Sequence, residues 1–330
     1  MNPQQLQLLQ LLASANTVSG QQLGEVLGIS RNAVWKHLQK LRKLGLEIKA
    51  VSGSGYQLLS PLELFDKDRI LALIAQNSLQ LPGQLILKMT TESSNDDLNN
   101  LPHDQHHGSV VIAEHQSAGR GRRGRTWVSP FGRNIYLSMG WEFQHGINQV
   151  AGLSLLTGVA VVKALRTFQV KDTQLKWPND ILRGSDTALA KLGGCLVEVN
   201  GDIAGPCQAT IGIGLNLRLA DSSQIDQSWV DLRDHESLSR NALVAEVISQ
   251  LLQLLPVFSA QGLQPFIHDW NKYHAYAGKL VQLTGPETNI SGIATGIDEQ
   301  GGLLVSNKTG QTTIHSGEVS LFPINTHPQD

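Results

Sequence analysis

Four arginines and three glycines fill the seven positions of "GRGRRGR", residues 119–125, in a chain whose formal net charge is only −2. Glycines let backbone amides approach a ligand closely, and arginines supply permanently charged, forked donors that fit carboxylate and phosphate. The composition therefore predicts a mobile loop that encloses a small anionic ligand. A basic surface loop that binds nucleic acid without specificity has the same composition, so that alternative stays open. No Gly-Lys-Ser/Thr follows, which disfavours a P-loop ATPase.

A second stretch with chemical potential is "LKWPNDI", residues 175–181, which favours an extended segment that turns at its Pro-Asn-Asp. Lys176, presented in this way, can stabilise negative charge that builds up on a transferring phosphoryl group. Asp180 can orient a partner or help to hold a metal. A Pro-Asn-Asp turn with a solvated lysine is the alternative.

Two apolar segments carry closely spaced glycines, "KLGGCLVEV" at 191–199 and "IGIGLNL" at 211–217. Glycines inside a strand indicate a bulge or the close approach of a ligand to the backbone. Lys191 begins the first segment and Asn216 lies near the end of the second, so both can present polar groups to a shared ligand.

Other kinds of chemistry are disfavoured. The histidines between residues 103 and 115 lack the cysteine or carboxylate spacing of a zinc motif, so no metal ligand is predicted among His103, His106, His107 and His115. No Gly-x-Ser-x-Gly is present, which removes the nucleophile of hydrolases built on that turn. Cys195 and Cys207 are too few for a disulfide scaffold, and Cys195 lies in an apolar run typical of a buried side chain.

The elements that must position these residues begin with a basic N-terminal segment. Residues 1–60 carry six Lys or Arg against two acids, in contrast to the nearly neutral whole. One helical run ends at Gly28, and Ser30 predicts the N-cap of the next helix, whose apolar stripe is Val34, Leu38, Leu41 and Leu44. "LEIKAVSGSGYQLLS" then predicts a strand, a turn and a strand.

This order predicts a winged helix-turn-helix. Its second helix would enter the major groove of DNA, with base or phosphate contacts from the residues at its start: Ser30, Arg31, Asn32, Trp35 and Lys36. A small helical bundle with a solvated basic face is the alternative.

The rest of the chain divides into two further segments. Residues 66–268 alternate apolar strands with helical runs, which predicts a mixed α/β domain built on a sheet. Short alternating strands with frequent turn residues fill 276–325 and predict a small all-β barrel or sandwich. We therefore expect a multidomain α+β protein with domains at 1–62, 66–268 and 276–325. Without a basic and apolar leader or about 18 consecutive apolar residues, we expect it in the cytoplasm, with no membrane partner.

The combination of "GRGRRG" with "KWPND", supported by "KLGG" and "GIGLN", closely resembles the biotin protein ligases, and the N-terminal segment resembles the bifunctional type that also represses the biotin operon. The resemblance covers nearly the whole chain. It implies a central domain of the biotin/lipoate ligase type and a C-terminal SH3-like β-barrel. It also implies that ATP, with Mg²⁺, converts biotin to biotinyl-5′-AMP, and that biotin passes to one lysine of the biotin carboxyl carrier protein of acetyl-CoA carboxylase. Biotinyl-5′-AMP would be the corepressor, favouring a homodimer that binds operator DNA.

The same resemblance implies roles for single residues. Lys176, Arg120 and Arg122 would be catalytic, holding the carboxylate and phosphate charge while the loop closes over the adenylate. The biotin pocket would consist of Ser93, Ser94, Gln116, Gly119, Arg120, Arg122, Lys176, Gly212 and Gly214. The nucleotide would contact Trp127, Asn216 and Arg122, with Lys191 as a neighbour of the site.

The sequence departs from the family pattern at three positions. Glu92-Ser93-Ser94-Asn95 replaces Asp-Ser-Thr-Asn, which keeps the hydroxyl and loses a methyl. Val128 follows the loop tryptophan, where an aromatic residue is common, and Phe322 stands where the bifunctional type has an arginine linked to nucleotide binding.

Two other functions compete. A lipoate or octanoate protein ligase uses the same adenylation chemistry, but the winged helix and the "GRGRRG" loop count against it. A biotin-sensing transcription factor with weak or lost ligase activity is the second alternative, against which stand the intact Lys176, Arg120 and Arg122.

Overall fold

The computed structural model of the protein describes residues 1–14, 17–185, 188–202, 205–219, 225–284, 289–308, 310–315 and 320–323. These residues form a helical segment with a β-hairpin, then a large mixed sheet with helices, then a small antiparallel sheet. The predicted multidomain α+β fold is confirmed.

The N-terminal segment folds as a winged helix-turn-helix, with α1 (Pro3–Ser14), α2 (Gly20–Leu27), α3 (Arg31–Lys43), β1 (Ile48–Val51) and β2 (Gly55–Leu58). Ser19 opens α2 through a capping box with Gln22, and Gly28 ends α2 in the left-handed conformation at φ 62°. The hydroxyl of Ser30 accepts a hydrogen bond from the backbone N–H of Ala33 at 3.3 Å, so α3 starts where the sequence predicts. The predicted motif is confirmed.

The core of this segment resolves which face of α1 turns inward. Leu8, Leu9 and Leu12 are buried against the stripe of α3. Leu44, predicted as the last residue of that stripe, is only half-buried because α3 ends there and Leu44 is its C-cap. Phe131, which belongs to a loop of the central domain, completes the same core. The N-terminal and central domains therefore share packed side chains.

The central domain contains α4 (Lys67–Gln76), β3 (Leu85–Lys88), α5 (Ser94–Asn99), α6 (His103–His106), β4 (Val110–Ala113), β5 (Ile135–Phe143), α7 (Leu153–Thr167), β6 (Thr173–Lys176), β7 (Asp180–Ser185), β8 (Ala188–Gly201), β9 (Cys207–Leu215), α8 (Arg240–Gln261) and α9 (Ile267–Tyr273). Its sheet has the order β3-β4-β5-β9-β8-β7-β6. The pair β3 and β4 is parallel, and the other neighbouring strands are antiparallel.

Helices α7 and α8 pack against each other and against the sheet. By length and composition alone, α8 and the segment 147–167 that contains α7 are long and apolar enough to cross a membrane, but more than half of each apolar stretch is buried inside the protein. A core helix of a large domain is apolar on nearly all sides, which explains both features.

The C-terminal segment is all-β, with β10 (Leu280–Thr284), β11 (Asn289–Ile297), β12 (Leu303–Asn307), β13 (Gly310–Ile314) and β14 (Ser320–Pro323). These strands form one antiparallel sheet in the order β13-β12-β11-β10-β14. Trp177 of the central domain donates its indole N–H to the carbonyl of Gly301 at 2.9 Å, which joins this sheet to the turn after β6.

Candidate active site

A cavity of about 490 Å³ is lined by the Gly-Arg loop, the end of β6, the middle of β8 and the last part of β9. Nearly all the residues assigned from the sequence to the small-molecule site line it together: Ser93, Ser94, Gln116, Arg120, Arg122, Trp127, Lys176, Lys191, Gly212 and Gly214. Gly119 lies directly behind this wall, where a Cβ would stand 2.7 Å from the carbonyl oxygen of Trp127. Asn216 lies in an adjoining cavity of about 620 Å³, which shares Trp127 and Lys191.

The Gly-Arg loop is a compact turn with internal hydrogen bonds. Gly121 donates its backbone N–H to the carbonyl of Arg125 at 2.7 Å, and Trp127 donates to Gly119 at 2.8 Å. Arg123 and Gly124 take left-handed conformations at φ 56° and 71°, which a glycine adopts without strain and an arginine seldom does. Arg120, Arg122 and Arg125 of this turn line the cavity, while the backbone stays closed on itself.

Arg120 is held by two carboxylates that the sequence did not single out. Its guanidinium donates to both oxygens of Asp96, at 2.6 and 2.5 Å, and to Oε1 of Glu198 at 3.3 Å. The hydrogen bonds from Arg120 lower the pKa of Asp96, and those to Asp96 raise the pKa of Arg120. A bidentate pair of this kind fixes the plane of the guanidinium. Arg120 is therefore a positioned cation.

Polar side chains form a connected network at the end of the cavity where Arg120 lies, because Asn95 donates to Oε2 of Glu198 at 2.9 Å, the carboxylate that Arg120 also contacts. Oε1 of Gln116 accepts hydrogen bonds from the backbone N–H and the hydroxyl of Ser94, at 2.8 and 3.0 Å. Ser138 is fully buried in β5. Its hydroxyl oxygen lies 2.7 Å from Ser94 Oγ and 2.6 Å from Asn95 Oδ1, and either oxygen can accept its proton. Asn95 also explains why position 212 is a glycine, because a Cβ on Gly212 would stand 2.5 Å from Asn95 Oδ1. This end can orient a small polar group.

Lys176, at the end of β6, supplies the cavity's half-buried amine. Burial lowers the pKa of Lys176, and the nearby charges of Lys191 and Arg125 lower it further, while Asp180 opposes the shift. Lys191 forms an ion pair with Asp180 at 2.8 Å. The Trp177–Pro178 peptide bond that follows Lys176 is cis. The segment turns at Pro-Asn-Asp as predicted, but its lysine lines a cavity and is not simply solvated.

Trp127 forms the wall between the two cavities. A Cβ on Gly214 would stand 2.5 Å from the indole of Trp127, so β9 needs a glycine for the ring to lie flat against its backbone. The Nζ of Lys191 lies 5.6 Å from the centre of this ring. Asn216 is buried and donates from its side chain to the carbonyl of Val230 at 3.4 Å. An aromatic face beside a buried amide suits a planar heterocycle.

The remaining sequence-derived residues lie elsewhere or are only partly described. Val128 lines the adjoining cavity. Phe322 lies in β14, where its backbone pairs with Gln282 of β10, and its side chain lies outside the described part of the chain. His106 is buried with Nε2 3.0 Å from Thr210 Oγ1, and His107 accepts from the backbone of Glu142, so these two histidines have structural partners. Among the described residues, no group of three His, Cys, Asp or Glu is arranged to hold a metal.

The outward face of α3 forms a separate candidate site. Arg31, Asn32, Trp35 and Lys36 are exposed, and Trp35 keeps 52% of its surface accessible although its ring is large and apolar. Ser30 uses its oxygen as the N-cap, which leaves its hydroxyl proton as its donor for another partner. An exposed, basic helix face with an unburied aromatic ring suits contact with a nucleic-acid groove.

Comparison with known proteins identifies three matching families along the chain. Residues 4–57 match an HTH domain, residues 86–216 match the biotin/lipoate A/B protein ligase family, and residues 276–321 match the biotin protein ligase C terminal domain. The bifunctional ligase/repressor BirA of Salmonella typhimurium strain LT2 is 38% identical over 96% of this chain and 97% of its own length. BirA of Escherichia coli strain K12 is also 38% identical, over 96% of both chains.

Among solved structures, the biotin protein ligase from Aquifex aeolicus in complex with biotin and ATP is similar to this fold with a TM-score of 0.62 and 27% identity. The match covers 73% of this chain and 99% of that one.

Proposed function

This chain belongs to the biotin protein ligase family, and from that membership we propose how its cavity and its winged helix serve a ligase that is also a transcriptional repressor. The ligase would activate biotin with ATP and transfer it to a lysine of a carrier protein. The observation that supports this most directly is a single cavity that brings Arg120, Arg122 and Lys176 together beside the glycines of β9. These three cations, together with Arg125 and Lys191 in the same partly buried cavity, suit a reaction that gathers a carboxylate and a phosphate.

In the first step, a carboxylate oxygen of biotin attacks the α-phosphorus of ATP, and the bond to the β-phosphate breaks to release pyrophosphate. We propose that Lys176 and Arg122 neutralise the charge that develops on the α-phosphate. In the second step, a lysine amine attacks the acyl carbon, AMP leaves, and the amine loses a proton to solvent. The loop around Arg120 and Arg122 would exclude water, because an acyl phosphate hydrolyses readily.

We propose that the biotin ring binds at the polar network and its carboxylate at the cations. Ser93, Ser94 and Gln116 offer donors and acceptors that suit a cyclic urea, and Gly212, against which Asn95 packs, lies in the cavity wall with them. The carboxylate would lie toward Gly119, Arg120 and Lys176, with the backbone of Gly214 along the connecting chain. The replacement of a family Thr by Ser94 keeps this hydroxyl, since Ser94 already hydrogen-bonds Gln116.

We propose that the adenine lies against Trp127, with Asn216 and Arg122 near the nucleotide. The biotin protein ligase from Aquifex aeolicus was solved in complex with biotin and ATP. Mg²⁺ would help to neutralise the triphosphate. The carboxylates of Asp180 and Asp226 line this cavity and are hard oxygen donors, so they suit an ion that takes most of its other ligands from phosphates and water.

For DNA, we propose that α3 enters the major groove and that Ser30, Arg31, Asn32, Trp35 and Lys36 make the contacts. Biotinyl-5′-AMP would act as corepressor by ordering the Gly-Arg loop and favouring a homodimer on a two-fold symmetric operator. Phe131, seven residues beyond Gly124, packs in the N-terminal core, which gives the loop a physical connection to the DNA-binding domain.

The proposed acceptor is a biotin carboxyl carrier protein, in keeping with a relative from Paracoccus denitrificans that is named as a biotin–[acetyl-CoA-carboxylase] ligase. We propose the domain limits 1–62, 66–268 and 276–325, and the cytoplasm as the location, where ATP, carrier protein and operator DNA meet.

The ligase proposal is tested by release of pyrophosphate from ATP in the presence of biotin or of lipoate, with purified full-length protein and Mg²⁺. We expect release with biotin and little with lipoate. Release with lipoate alone would instead establish the lipoate ligase.

The repressor proposal is tested by binding to the promoter DNA of biotin synthesis genes, with and without biotin plus ATP, alongside sedimentation to measure dimer formation. We expect both DNA binding and dimerisation to increase with ligand. An unchanged monomer at saturating biotin and ATP would contradict the corepressor role, and DNA binding without any pyrophosphate release would establish a sensor in place of a ligase.

A further inference from the structure

A second concentration of positive charge lies away from the cavity described above, where the end of α7, the start of β6, the end of α9 and the start of β10 meet. A groove of about 330 Å³ there is lined by four cations, Arg166, Lys171, Lys272 and Lys279. We call the surface formed by these four residues the basic groove. Among the described residues that line it, none is an Asp or a Glu, in a chain whose formal net charge is −2.

Tyr273 brings two of these cations together. The Cζ of Arg166 lies 4.7 Å from the centre of its ring, and the Nζ of Lys272 lies 5.8 Å from the same centre. An aromatic ring attracts each cation, but only weakly, and it does not remove the repulsion between them. Arg166 also donates from Nη2 to the carbonyl of Lys171 at 3.1 Å, which holds the backbone of Lys171 beside the guanidinium of Arg166.

Nearby carboxylates are engaged with other cations. Asp172, next to Lys171, accepts two hydrogen bonds from Arg183 at 3.1 Å. Asp269 of α9 forms an ion pair with Lys163 at 2.6 Å. Asp172 and Asp269, the described acids closest in sequence to Lys171 and Lys272, therefore have other cations as partners.

The lining of the groove also contains polar atoms without partners among the described residues. Nε of Arg166 is buried and makes no hydrogen bond. Both ring nitrogens of His274 are in the same condition, and His274 is 6% exposed and stacked on Trp270. Burial, with the nearby charge of Lys279, lowers the pKa of His274 to about 4, so its ring is neutral at pH 7. Buried polar atoms are normally satisfied, so unpaired ones beside a cationic groove point to a ligand.

We propose that the basic groove binds a small anion that carries phosphate groups, of about the size of pyrophosphate. Guanidinium and ammonium groups are the side chains that recognise phosphate, and Arg166, Lys171 and Lys272 together suit the charge of pyrophosphate. A groove of this volume lies at the small end of the range for ligand sites. This site is separate from the proposed ligase cavity and does not rest on the proposed function.

The basic groove is lined in part by β6, so a ligand bound in the groove would lie next to that strand. Ala275, which follows His274, donates its backbone N–H to the carbonyl of Leu175 at 2.9 Å, and Leu175 precedes Lys176. The same strand therefore lines the basic groove at Gln174 and the large cavity at Lys176.

The test is isothermal titration of the full-length protein with sodium pyrophosphate and, separately, with inorganic phosphate at matched ionic strength. Because the large cavity also contains cations, three proteins are compared: wild type, Lys171→Gln/Lys272→Gln, and Arg122→Gln. We expect the groove variant to lose one binding event or to bind it roughly tenfold more weakly, whereas Arg122→Gln keeps that event. Pyrophosphate binding more tightly than phosphate would identify the larger anion as the ligand.

Lys171→Arg/Lys272→Arg keeps the charge and should keep the binding, which separates loss of contact from loss of fold. Wild-type stoichiometry and affinity in Lys171→Gln/Lys272→Gln would overturn the proposal, as would anion binding that disappears only in Arg122→Gln. If that groove variant instead weakens binding of duplex DNA while pyrophosphate binding is unchanged, the basic groove contacts DNA and the small-anion site is wrong.

Discussion

The cations of the large cavity and the cations of α3 are arranged in opposite ways. In the cavity, Arg120 is held by Asp96 and Glu198, and Lys191 by Asp180. On α3, Arg31 and Lys36 are exposed and form no salt bridge within the described residues. A catalytic cation must already stand in place when charge develops, whereas a cation that binds DNA gains most by exchanging a mobile ion atmosphere for a phosphate. The same residue types are thus fixed in one region and left hydrated in the other.

The lowered pKa of Lys176 shows what burying a cation involves. Burial disfavours its charged form, and the neighbouring Lys191 and Arg125 add repulsion. The protonated form of such an amine is stabilised when a substrate brings negative charge next to it. The exposed lysines of α3 are charged and hydrated without a ligand, so their charged form gains less from any one anion.

The largest effect is expected from Lys176→Ala. Removing a positioned charge next to the reacting phosphate should lower the rate of biotin-dependent pyrophosphate release by about 100- to 1,000-fold. The measurement is steady-state release from ATP, with the exposed Lys67→Ala as the matched control. A loss no greater than that of the control would show that Lys176 is not the group that stabilises the transferring charge.

The pH dependence of the same reaction tests the role of the half-buried Lys176 in another way. Lys176 acts while protonated, and its pKa is lowered, so activity should fall as pH rises through a pKa below the usual 10.5. The fall should reach about tenfold per pH unit above that pKa. In Lys176→Arg, whose charge persists, any remaining activity should lack this alkaline decline. An identical decline in Lys176→Arg would assign the titration to another group.

A smaller effect is expected from Asp96→Asn, which keeps the shape of the side chain and removes its charge. Because Asp96 is partly exposed and Glu198 still contacts Arg120, the KM for biotin should rise by only about three- to tenfold, with little change in kcat. Asp104→Asn, an exposed acid on α6, is the control. An unchanged or lower KM would mean that Asp96 competes with the substrate for Arg120 and does not position it.

The smallest effect is expected from Lys36→Ala on α3. Loss of one phosphate contact should weaken operator binding several-fold and reduce the salt dependence of binding by about one unit of slope. Gel-shift titrations at three salt concentrations give both quantities. A large loss confined to one base sequence would show that Lys36 reads a base, in which case the contrast with the cavity is less sharp.

Local signals were sufficient to predict most of the fold. Ser19, Gly28 and Ser30 mark helix ends through caps that act within three or four residues, so the winged helix-turn-helix could be predicted from its sequence. Leu44, the last residue of the predicted stripe, packs against the core but is only half-buried, because the helix ends there and periodicity does not show where helical hydrogen bonds stop. The strand order of the central sheet, which brings β9 between β5 and β8, has no local signal.

The candidate site was predicted only in part. Motifs identified Arg120, Lys176 and the glycines, and the structure brings them together. Asp96, Glu198 and Ser138 were missed because their contacts join positions 24, 78 and 44 residues apart. Ser138 in particular lies in an apolar strand, where neither spacing nor composition distinguishes a hydroxyl that faces the site from one that faces the core.

The most direct test of the account compares Lys176→Ala and Lys36→Ala in one assay, the incorporation of labelled biotin into a purified carboxyl carrier domain with ATP and Mg²⁺. If the fixed cations perform the chemistry and the hydrated cations bind DNA, Lys176→Ala should lose nearly all labelling while Lys36→Ala labels at the wild-type rate. Equal labelling by both variants, or none by the wild type, would contradict that division of roles.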